Sequence, residues 1–286
     1  MKKILLQLDT DSFPSTFDRV VAIDAGVDEL FSYGGVTPDN VEALIHGLIF
    51  TRLPSNLVNS AVFIGGSNVA LGEVLLNKVQ STLFGPFKVS MMMDSNGSNT
   101  TAAATVLKAT QHLVLAETTA VVLGGTGPVG CRVVQLLLSE GATVRLASRS
   151  LERSQATCGM LSKVVDTRKL TPHESQTEAG IAGACHHAEL VVAAGAAKAQ
   201  LISSSQLRAI PTLKLAIDLN AVAPAGIEGV DVMDRATSRH GFVSFGAIAV
   251  GGTKMKIHLA TIQSLFHTND RVFDVTSIYE LGKSIL

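Results

Sequence analysis

One glycine-rich segment of the chain has the spacing of a phosphate-binding turn. The sequence Gly125-Thr126-Gly127-Pro128-Val129-Gly130 follows the apolar run Ala120–Leu123 and precedes a helix-length stretch, Val129–Ser139. In a strand–turn–helix unit, Gly125 permits the tight turn, Gly127 lets the backbone approach a pyrophosphate, and Gly130 lets helix and strand touch. The N–H groups that begin the helix then face the anion. The segment predicts a dinucleotide site; the alternative is a glycine-rich turn in another kind of α/β protein.

The residues that follow the next strand select between the two nicotinamide nucleotides. Thr143–Ala147 is that strand, and Ser148-Arg149-Ser150 comes directly after it. An NAD site usually has Asp or Glu here, which accepts from the ribose 2′-hydroxyl, and this chain has neither. Arg149 can pair with a 2′-phosphate, and the two serines can donate to it, so NADP is predicted, with NAD as the weaker alternative. The alternative role of Arg149 is a solvated residue at a loop start. Two further cofactor-binding candidates, after another strand-like run, are Asp218 and Asn220.

Polar side chains also follow strand-like segments in the first part of the chain. Asp9-Thr10-Asp11 follows Ile4–Leu8, and a dense polar segment, Asp94–Thr101, follows Lys88–Met93. Open α/β sheets bind ligands at the carboxyl ends of their strands, which is where these segments fall. Each polar residue has an alternative role in a turn or as a helix cap. The candidate substrate-binding residues are Asp9, Asp11, Asp94, Asn96, Ser98, Asn99 and Thr100.

Strand-like and helix-length segments alternate along most of the chain. Strands are predicted at Ile4–Leu8, Ala61–Ile64, Lys88–Met93, Ala120–Leu123, Thr143–Ala147, Leu190–Ala193 and Lys214–Ile217. Helices are predicted at Asn40–Phe50, Val69–Ser81, Thr100–Leu113, Val129–Ser139 and Leu151–Cys158. This alternation predicts the α/β class, with mostly parallel sheets covered by helices on both faces.

Two changes in the character of the sequence predict domain boundaries. An Ala-rich helix ends near Leu113, and a short polar stretch then precedes the dinucleotide unit. Further on, the glycine-rich segment Gly246–Gly252 gives way to a helix expected from about Thr253 to Phe266. We therefore expect an α/β domain at residues 1–115, a Rossmann domain at 116–252, and a C-terminal segment, 253–286, that joins the first domain.

Composition excludes several classes of function. The chain has 286 residues, 47% of them hydrophobic and 16% charged, which suits buried sheets and argues against disorder. A net charge of -1, no Trp and only 5% aromatic residues argue against nucleic-acid binding. Three cysteines lie far apart without a C-x-x-C pair, so neither a Cys-based metal site nor a disulfide framework is expected, and no histidine falls in a metal or triad pattern. No apolar run is long enough for a membrane helix, and a cytoplasmic protein is expected.

Several longer strings resemble the NADP-dependent methylene-tetrahydromethanopterin dehydrogenases of C1-metabolising bacteria. The resemblance spans essentially the whole chain. It implies a substrate-binding α/β domain joined to a Rossmann domain, with the pterin in a cleft between them, and a homo-oligomer. The strings that carry it are QLDTD at 7–11, VTPDNV at 36–41, FGPF at 84–87, DSNGSNTTA at 94–102, GTGPVG at 125–130 and GGTKMKIH at 251–258.

The resemblance implies that a hydride passes from the methylene bridge of the pterin to NADP+, leaving the methenyl cation. Two nitrogens flank the bridge and stabilise that cation, which explains why no catalytic acid–base dyad is evident. Lys254 is the candidate catalytic residue, because its position matches the family string and suggests a contact with the pterin. We expect it at a helix start, after Gly251-Gly252, where the helix dipole disfavours a cation. The alternative is a solvated lysine beside Lys256.

The chain departs from the family pattern at two places. Several loop lysines are missing around Leu53–Asn59, which affects recognition of the pterin tail or contacts between subunits. Ser148-Arg149-Ser150 leaves one firm basic residue for the 2′-phosphate, so selectivity for NADP is expected to be incomplete. Two other functions stay open at this point. One is a methylene-tetrahydrofolate dehydrogenase, since both pterins carry the same reactive bridge, and the other is a non-catalytic NADP-sensing Rossmann protein.

Overall fold

Strands and helices alternate through the computed structural model, which describes all residues, 1–286. The strands are β1 Ile4–Asp9, β2 Glu29–Tyr33, β3 Ser60–Gly65, β4 Ser90–Met93, β5 Thr119–Leu123, β6 Thr143–Ser148, β7 Leu170–Glu174, β8 Leu190–Ala193, β9 Leu215–Asp218, β10 Arg235–Arg239, β11 Phe242–Phe245 and β12 Val272–Phe273. The helices are α1 Thr16–Asp24, α2 Val41–Ile49, α3 Val69–Thr82, α4 Ser98–Thr110, α5 Pro128–Ser139, α6 Leu151–Leu161, α7 Glu178–Cys185, α8 Ser204–Arg208, α9 Ala247–Ser264 and α10 Val275–Ile285. The chain divides into two compact units, residues 1–100 with 255–286 (unit 1) and residues 101–254 (unit 2).

Unit 1 contains a five-stranded sheet in the order β12-β4-β3-β1-β2, and every pair in it is parallel. Apolar residues of β1, β3 and β4 pack with those of α2 and α3 into one core, which includes the fully buried Ile45 and Leu75. The central strands are apolar on both faces, as expected for a parallel sheet with helices on each side. β2 has only one neighbour and forms one edge of the sheet.

Unit 2 contains a seven-stranded sheet in the order β10-β11-β9-β8-β5-β6-β7. All pairs are parallel except the hairpin of β10 and β11. The strands β5, β8 and β9 are buried along their apolar residues, and they form one core with Ile181 of α7, Leu207 of α8 and Ile210, which follows α8. In both units the first strand of the sheet has neighbours that lie on opposite sides of it, which defines a topological switch point.

The α/β class predicted from the sequence is confirmed, and all seven predicted strands and all five predicted central helices are present. The strands that the sequence did not predict are β2, β7, β10, β11 and β12, and the helices are α1, α7, α8 and α10. Most of those strands lie at or next to a sheet edge, where half-exposed residues give a weak pattern. The expected domain ends at residues 115 and 253 stay a prediction.

One predicted boundary is wrong. The helix expected from about Thr253 begins at Ala247, six residues earlier, so the glycine-rich segment Gly246–Gly252 lies mostly inside α9. Gly251 and Gly252 have open space around the positions where a Cβ would sit. The misassignment followed from treating these glycines as a helix boundary, whereas tertiary packing of the flanking Ala249 and Val250 extends the helix through them.

Candidate functional site

The glycine turn of unit 2 lies at the switch point of its sheet. β5 has β6 on one side and β8 on the other, and α5 begins at Pro128 directly after the turn. The left-handed backbone conformation belongs to Gly124, at φ +71°, and Gly125 follows it within the same turn. A Cβ on Gly124 would lie 2.7 Å from the Cα of Gly195. The turn therefore requires glycine at a position that the sequence motif does not include.

The other motif glycines are required by close packing. A Cβ on Gly125 would lie 2.9 Å from both the Val122 carbonyl oxygen and the Leu146 side chain, and one on Gly130 would lie 2.7 Å from the Gly124 carbonyl oxygen. By contrast, a Cβ on Gly127 would meet no protein atom closer than 3.4 Å. Gly127 is the N-cap of α5 and has no side-chain cap. The first N–H groups of this helix thus form the cradle that a diphosphate fits, and a side chain at Gly127 would fill it.

A cavity of about 530 Å³ opens beside this turn. Three loops at the carboxyl edge of the sheet line it, namely those after β5, β6 and β8, and the loop after β7 contributes Ser175 and Gln176. The predicted cofactor residues that line the cavity are Thr126, Gly127, Ser148 and Arg149. The predicted cofactor residues outside its lining are Gly125, Pro128, Val129, Gly130, Ser150, Asp218 and Asn220. The cavity has the size and the glycine-lined wall of a nucleotide pocket.

Two arginines, rather than one, reach the cavity from the end of β6. Arg149 follows the strand, and Arg153 lies in the first turn of α6, four residues later. Both are exposed, so their guanidinium groups can meet an anion. The sequence singled out Arg149 alone for a 2′-phosphate, and the structure adds Arg153 to the same cavity lining; pairing of either arginine with that phosphate stays a prediction. Arg149 precedes the N-cap of α6 and Arg153 lies in its first turn, so the sequence could bring the two together only once the start of α6 was known.

The serines on either side of Arg149 hold the loop in shape. Ser148 is buried, and its hydroxyl donates to the Ser150 carbonyl oxygen at 2.7 Å. Ser150 is the N-cap of α6, and its hydroxyl oxygen accepts from the Arg153 N–H at 3.3 Å. These contacts fix the backbone that carries both arginines. Donation from the two serines to a 2′-phosphate stays a prediction.

Asp218 also has a local structural role. Its carboxylate accepts from the N–H groups of Asn220 and Ile227, both at 2.9 Å, and so closes the loop that follows β9. Burial raises the pKa of Asp218 above its ordinary value, and the backbone hydrogen bonds oppose that rise. Asn220 donates to the Pro224 carbonyl oxygen across the same loop. A role for either residue beside the nicotinamide stays a prediction.

In unit 1 the switch point lies between β1 and β3, and the loops after these strands are joined by Asp11. Its carboxylate accepts from the N–H and the hydroxyl of Ser67, both at 2.9 Å. Asp9 is buried, and it accepts from the N–H groups of Asp11 and Ser15 at 2.9 and 3.0 Å. Between them, the hydroxyl of Thr10 is enclosed without a hydrogen-bond partner. Sequence reasoning did not single out Thr10, because a hydroxyl in a turn is ordinarily satisfied locally.

Most polar side chains of the segment after β4 form hydrogen bonds at the start of α4. Asp94 is 1% exposed; its carboxylate accepts from the N–H groups of Asn99 and Thr100 and, at 2.6 Å, from the Thr100 hydroxyl. Asn99 donates its side-chain amide to the Met93 carbonyl oxygen, and Ser98 donates to the Ser95 carbonyl oxygen. The capping side chain is thus that of Asp94, whereas Ser98, Asn99 and Thr100, the expected caps, lie inside α4. Their contact with a substrate stays a prediction.

Asn96 differs from the rest of that segment. Its side chain is exposed and its backbone has φ +55°, a left-handed conformation that is uncommon outside glycine. Its N–H donates to the Gly66 carbonyl oxygen in the loop after β3. Among the seven predicted substrate residues, Asn96 and Asp11 keep accessible side chains at the carboxyl edge of the unit 1 sheet.

Lys254 does not lie at a helix start. It is inside α9, past the first turn, where the helix dipole has little effect, so that part of the sequence argument was wrong. Its side chain is half-buried, whereas Lys256 is exposed. His258, four residues further along the same helix, is fully buried and stacks on Phe63 with ring centroids 5.7 Å apart. Lys254 and His258 thus lie on the same face of α9.

The remaining chemistry-bearing groups do not form a further cluster. No group of His, Cys, Asp and Glu side chains is arranged to hold a metal ion. The three cysteines are free thiols, and burial raises the pKa of Cys185 to about 11. No helix is long and apolar enough to cross a membrane.

Comparison with known proteins gives the class and then the family. Among solved structures, quinate dehydrogenase from Corynebacterium glutamicum in complex with NAD superposes with TM-score 0.52, 13% identity and 100% coverage of both chains. The methylenetetrahydrofolate dehydrogenase-cyclohydrolase of Trypanosoma brucei superposes with TM-score 0.50, 15% identity, and 93% and 86% coverage. At such identities the likeness shows the fold alone. Fold and glycine turn together define a protein with a Rossmann-type dinucleotide unit.

The family follows from sequence relatives. A family model described as methylene-tetrahydromethanopterin dehydrogenase, N-terminal, matches residues 16–96. The bifunctional protein MdtA of Methylorubrum extorquens AM1 is 42% identical over 287 residues, 99% of each chain. The NAD(P)-dependent methylenetetrahydromethanopterin dehydrogenase of the same organism is 29% identical over 299 residues, again 99% of each chain. The chain belongs to the methylene-tetrahydromethanopterin dehydrogenase family, which confirms the resemblance found in the sequence.

Proposed function

We propose that the protein is an oxidoreductase that transfers a hydride from methylene-tetrahydromethanopterin to NADP+, giving methenyl-tetrahydromethanopterin. The observation that carries this proposal is 42% identity over 99% of the chain to a member of this family, together with an intact glycine cradle beside two arginines. The relative named as NAD(P)-dependent supports a nicotinamide nucleotide as the cofactor. When bound, the nucleotide supplies the carbon that accepts the hydride.

The residues of unit 2 bind and orient that nucleotide. The N–H groups at the start of α5 hold the diphosphate, and Gly127 leaves room for it. Arg149 and Arg153, which line the same cavity, hold the 2′-phosphate, since a guanidinium pairs with phosphate through two parallel hydrogen bonds. NADP is the preferred nucleotide because the residues directly at the end of β6, Ser148-Arg149-Ser150, include no Asp or Glu to oppose that phosphate.

The residues of unit 1 supply the pterin contacts in this proposal. Asp11 and Asn96 lie on loops at one sheet edge, and their accessible side chains offer acceptors and donors to a polar heterocycle. The buried Asp94 and Asp9 hold those loops in a fixed shape. Precise positioning of this kind is the main requirement of a hydride transfer, in which no proton has to leave the reacting carbon.

Lys254 is the residue that we propose to orient the pterin at the reacting centre. Lys254→Ala should lower kcat by at least about tenfold while leaving the dissociation constant for NADP unchanged, because the lysine is not part of the cofactor cavity. Lys256→Ala is the matched control, since Lys256 is an exposed lysine on the same helix. Turnover near that of the wild type would remove Lys254 from the site.

The function is tested by following nucleotide reduction with purified protein. Methylene-tetrahydromethanopterin and methylene-tetrahydrofolate are each supplied with NADP+ and with NAD+. The expected result is the largest kcat/KM for the tetrahydromethanopterin substrate with NADP+. A larger value with the folate substrate would assign the protein to that reaction instead. NADP binding without reduction by either substrate would indicate a sensing protein.

A homo-oligomer, which the family resemblance implies, is also part of the proposal.

A further inference from the structure

One buried hydroxyl joins two of the segments that line the cofactor cavity. Ser154, near the start of α6, is 0% exposed. Its hydroxyl donates to the His173 carbonyl oxygen of β7 at 2.8 Å, across 19 residues of the chain. This is the one side-chain hydrogen bond that joins α6 to β7. The start of α6 is thereby tied to the strand that leads into Ser175 and Gln176, which line the cavity.

The same hydroxyl contacts the residues on both sides of Arg149. Its oxygen lies 3.1 Å from the Ser148 hydroxyl oxygen and 3.3 Å from the Ser150 carbonyl oxygen. Ser148 donates to that carbonyl oxygen at 2.7 Å, so the two hydroxyls and the carbonyl form one compact network. Arg153 precedes Ser154 directly in the chain. Both arginines of the cavity are therefore attached to backbone that the Ser154 hydroxyl holds.

Ser154 is outside the lining of the cavity, so its hydroxyl acts only through the residues that it holds. Serine has a lower helix propensity than alanine, and a buried hydroxyl costs free energy unless it forms hydrogen bonds. A serine at this buried helix position is therefore unfavourable except for its bonds to the ends of β6 and β7. Those bonds fix where α6 begins relative to the two strands, and with it the backbone of Arg149 and Arg153.

We propose that Ser154 is a positioning residue that sets the preference of this protein for NADP over NAD. Two guanidinium groups that bind one phosphate must lie at a fixed separation. A binding group that is already held in place does not have to be ordered when the ligand arrives, which strengthens binding. The Ser154 hydroxyl holds the backbone of Arg149 and Arg153 in this way. The inference rests on the proposed pairing of these arginines with the 2′-phosphate.

The hydroxyl network does not include the diphosphate cradle. That cradle consists of the glycine turn and the N–H groups at the start of α5, and the Ser154 hydroxyl bonds to none of these residues. Both nucleotides contain the diphosphate, whereas only NADP carries the 2′-phosphate. Loss of the hydroxyl is therefore expected to weaken the binding of NADP and to leave the binding of NAD almost unchanged.

The first test measures the binding of each nucleotide by titration calorimetry, without any pterin. Ser154→Ala should raise the dissociation constant for NADP about tenfold and that for NAD less than about twofold. Thr157→Val is the matched control, because it removes another buried hydroxyl of α6, one that donates within the helix to the Arg153 carbonyl oxygen. It should leave both constants unchanged.

An equal effect of Ser154→Ala on both nucleotides, or no effect on either, would overturn the proposal. A wild type that binds NAD as tightly as NADP would also overturn it. Because no pterin is present, the result distinguishes a failure of this inference from a failure of the proposed reaction.

The second test asks whether Ser154 acts through the arginines. In a protein that already carries Arg149→Ala and Arg153→Ala, adding Ser154→Ala should change the dissociation constant for NADP less than about twofold, because the groups that it positions are gone. A further rise of about tenfold in that background would overturn the positioning role. Circular dichroism checks that each variant is folded. If Ser154→Ala does not fold, Ser154→Cys replaces it, since a thiol fills the same space and donates only weakly. Its ratio of NADP to NAD affinity should fall below that of the wild type, and an unchanged ratio would overturn the proposal.

Discussion

The carboxyl edges of the two sheets of this protein present different chemistry. Beyond β5 in unit 2, the wall is made of glycines and of N–H groups at a helix start, and two arginines are exposed beside it. Beyond β1 and β4 in unit 1, the wall is rich in polar side chains, but Asp9 and Asp94 are buried and hydrogen-bonded to their own loops. Backbone groups present the binding chemistry in unit 2, whereas side chains build the scaffold in unit 1.

This difference explains why the candidate site in unit 2 is easier to predict from the sequence than the one in unit 1. A diphosphate is recognised by backbone geometry, and backbone geometry requires glycines at fixed spacing. A pterin is recognised by side chains, and the same Asp, Asn, Ser and Thr residues are also the usual caps and turn residues. Four substitutions test the contrast, from the largest expected effect to the smallest.

Arg149→Asp tests whether an exposed side chain sets nucleotide choice in unit 2. It removes a charge-assisted pairing and adds a negative charge, so kcat/KM for NADP should fall by about a hundredfold. The value for NAD should change by less than about threefold. Steady-state kinetics with both nucleotides measures the ratio of kcat/KM for NADP to that for NAD. The ratio for Arg149→Lys should lie between those of the wild type and Arg149→Asp, because lysine keeps the positive charge but cannot form two parallel hydrogen bonds. An unchanged NADP-to-NAD ratio would refute the assignment.

Gly127→Ala tests the glycine cradle itself. The added Cβ has room within the protein, so the fold should persist, but it enters the space that the diphosphate needs. The dissociation constants for NADP and NAD should both rise by about thirtyfold, roughly 2 kcal/mol. Gly159→Ala is the matched control, because no atom lies within 4 Å of its Cβ position in α6. Nucleotide binding equal to that of the control would exclude Gly127 from the phosphate site.

Asp94→Ala tests whether the polar loop of unit 1 is scaffold. Removing the carboxylate leaves two N–H groups and the Thr100 hydroxyl without their hydrogen-bond acceptor. The free energy of unfolding should therefore fall by about 2 kcal/mol. Asp39→Ala, an exposed position of the same unit, should change it by less than about 0.5 kcal/mol. Urea unfolding measures both. An unaltered midpoint combined with a raised KM for the pterin would make Asp94 a ligand instead of a cap.

Arg153→Ala tests the second arginine of the cofactor cavity. As an exposed residue one turn into α6, it should contribute about 1 kcal/mol, which raises the KM for NADP about fivefold and leaves that for NAD unchanged. Arg168→Ala, an exposed arginine paired with Asp166, controls for the loss of surface charge. An equal effect on both nucleotides would mean that Arg153 contacts a group that NAD shares.

The sequence predicted the α/β class and the central strands, because a buried parallel strand is a nearly continuous apolar run whatever surrounds it. It was less successful at α9, where Gly251 and Gly252 looked like a helix boundary although Ala247–Ser264 forms one helix. Lys254 was therefore expected at a helix start, whereas it lies in an interior turn of α9 with a half-buried side chain. Local propensity alone does not determine a helix end when neighbouring residues are packed on both sides.

By itself the sequence determined the glycine turn, the absence of an acidic residue after β6 and membership of a family, since each depends on residues adjacent in the chain. Only the tertiary structure decided that Gly124 carries the left-handed turn, that Arg153 joins Arg149, and that Asp11 holds Ser67 from a loop 56 residues away. The physical reason is that burial and long-range hydrogen bonds arise when distant segments pack together. A local sequence pattern does not show which polar groups form hydrogen bonds within the folded protein and which stay available to a ligand.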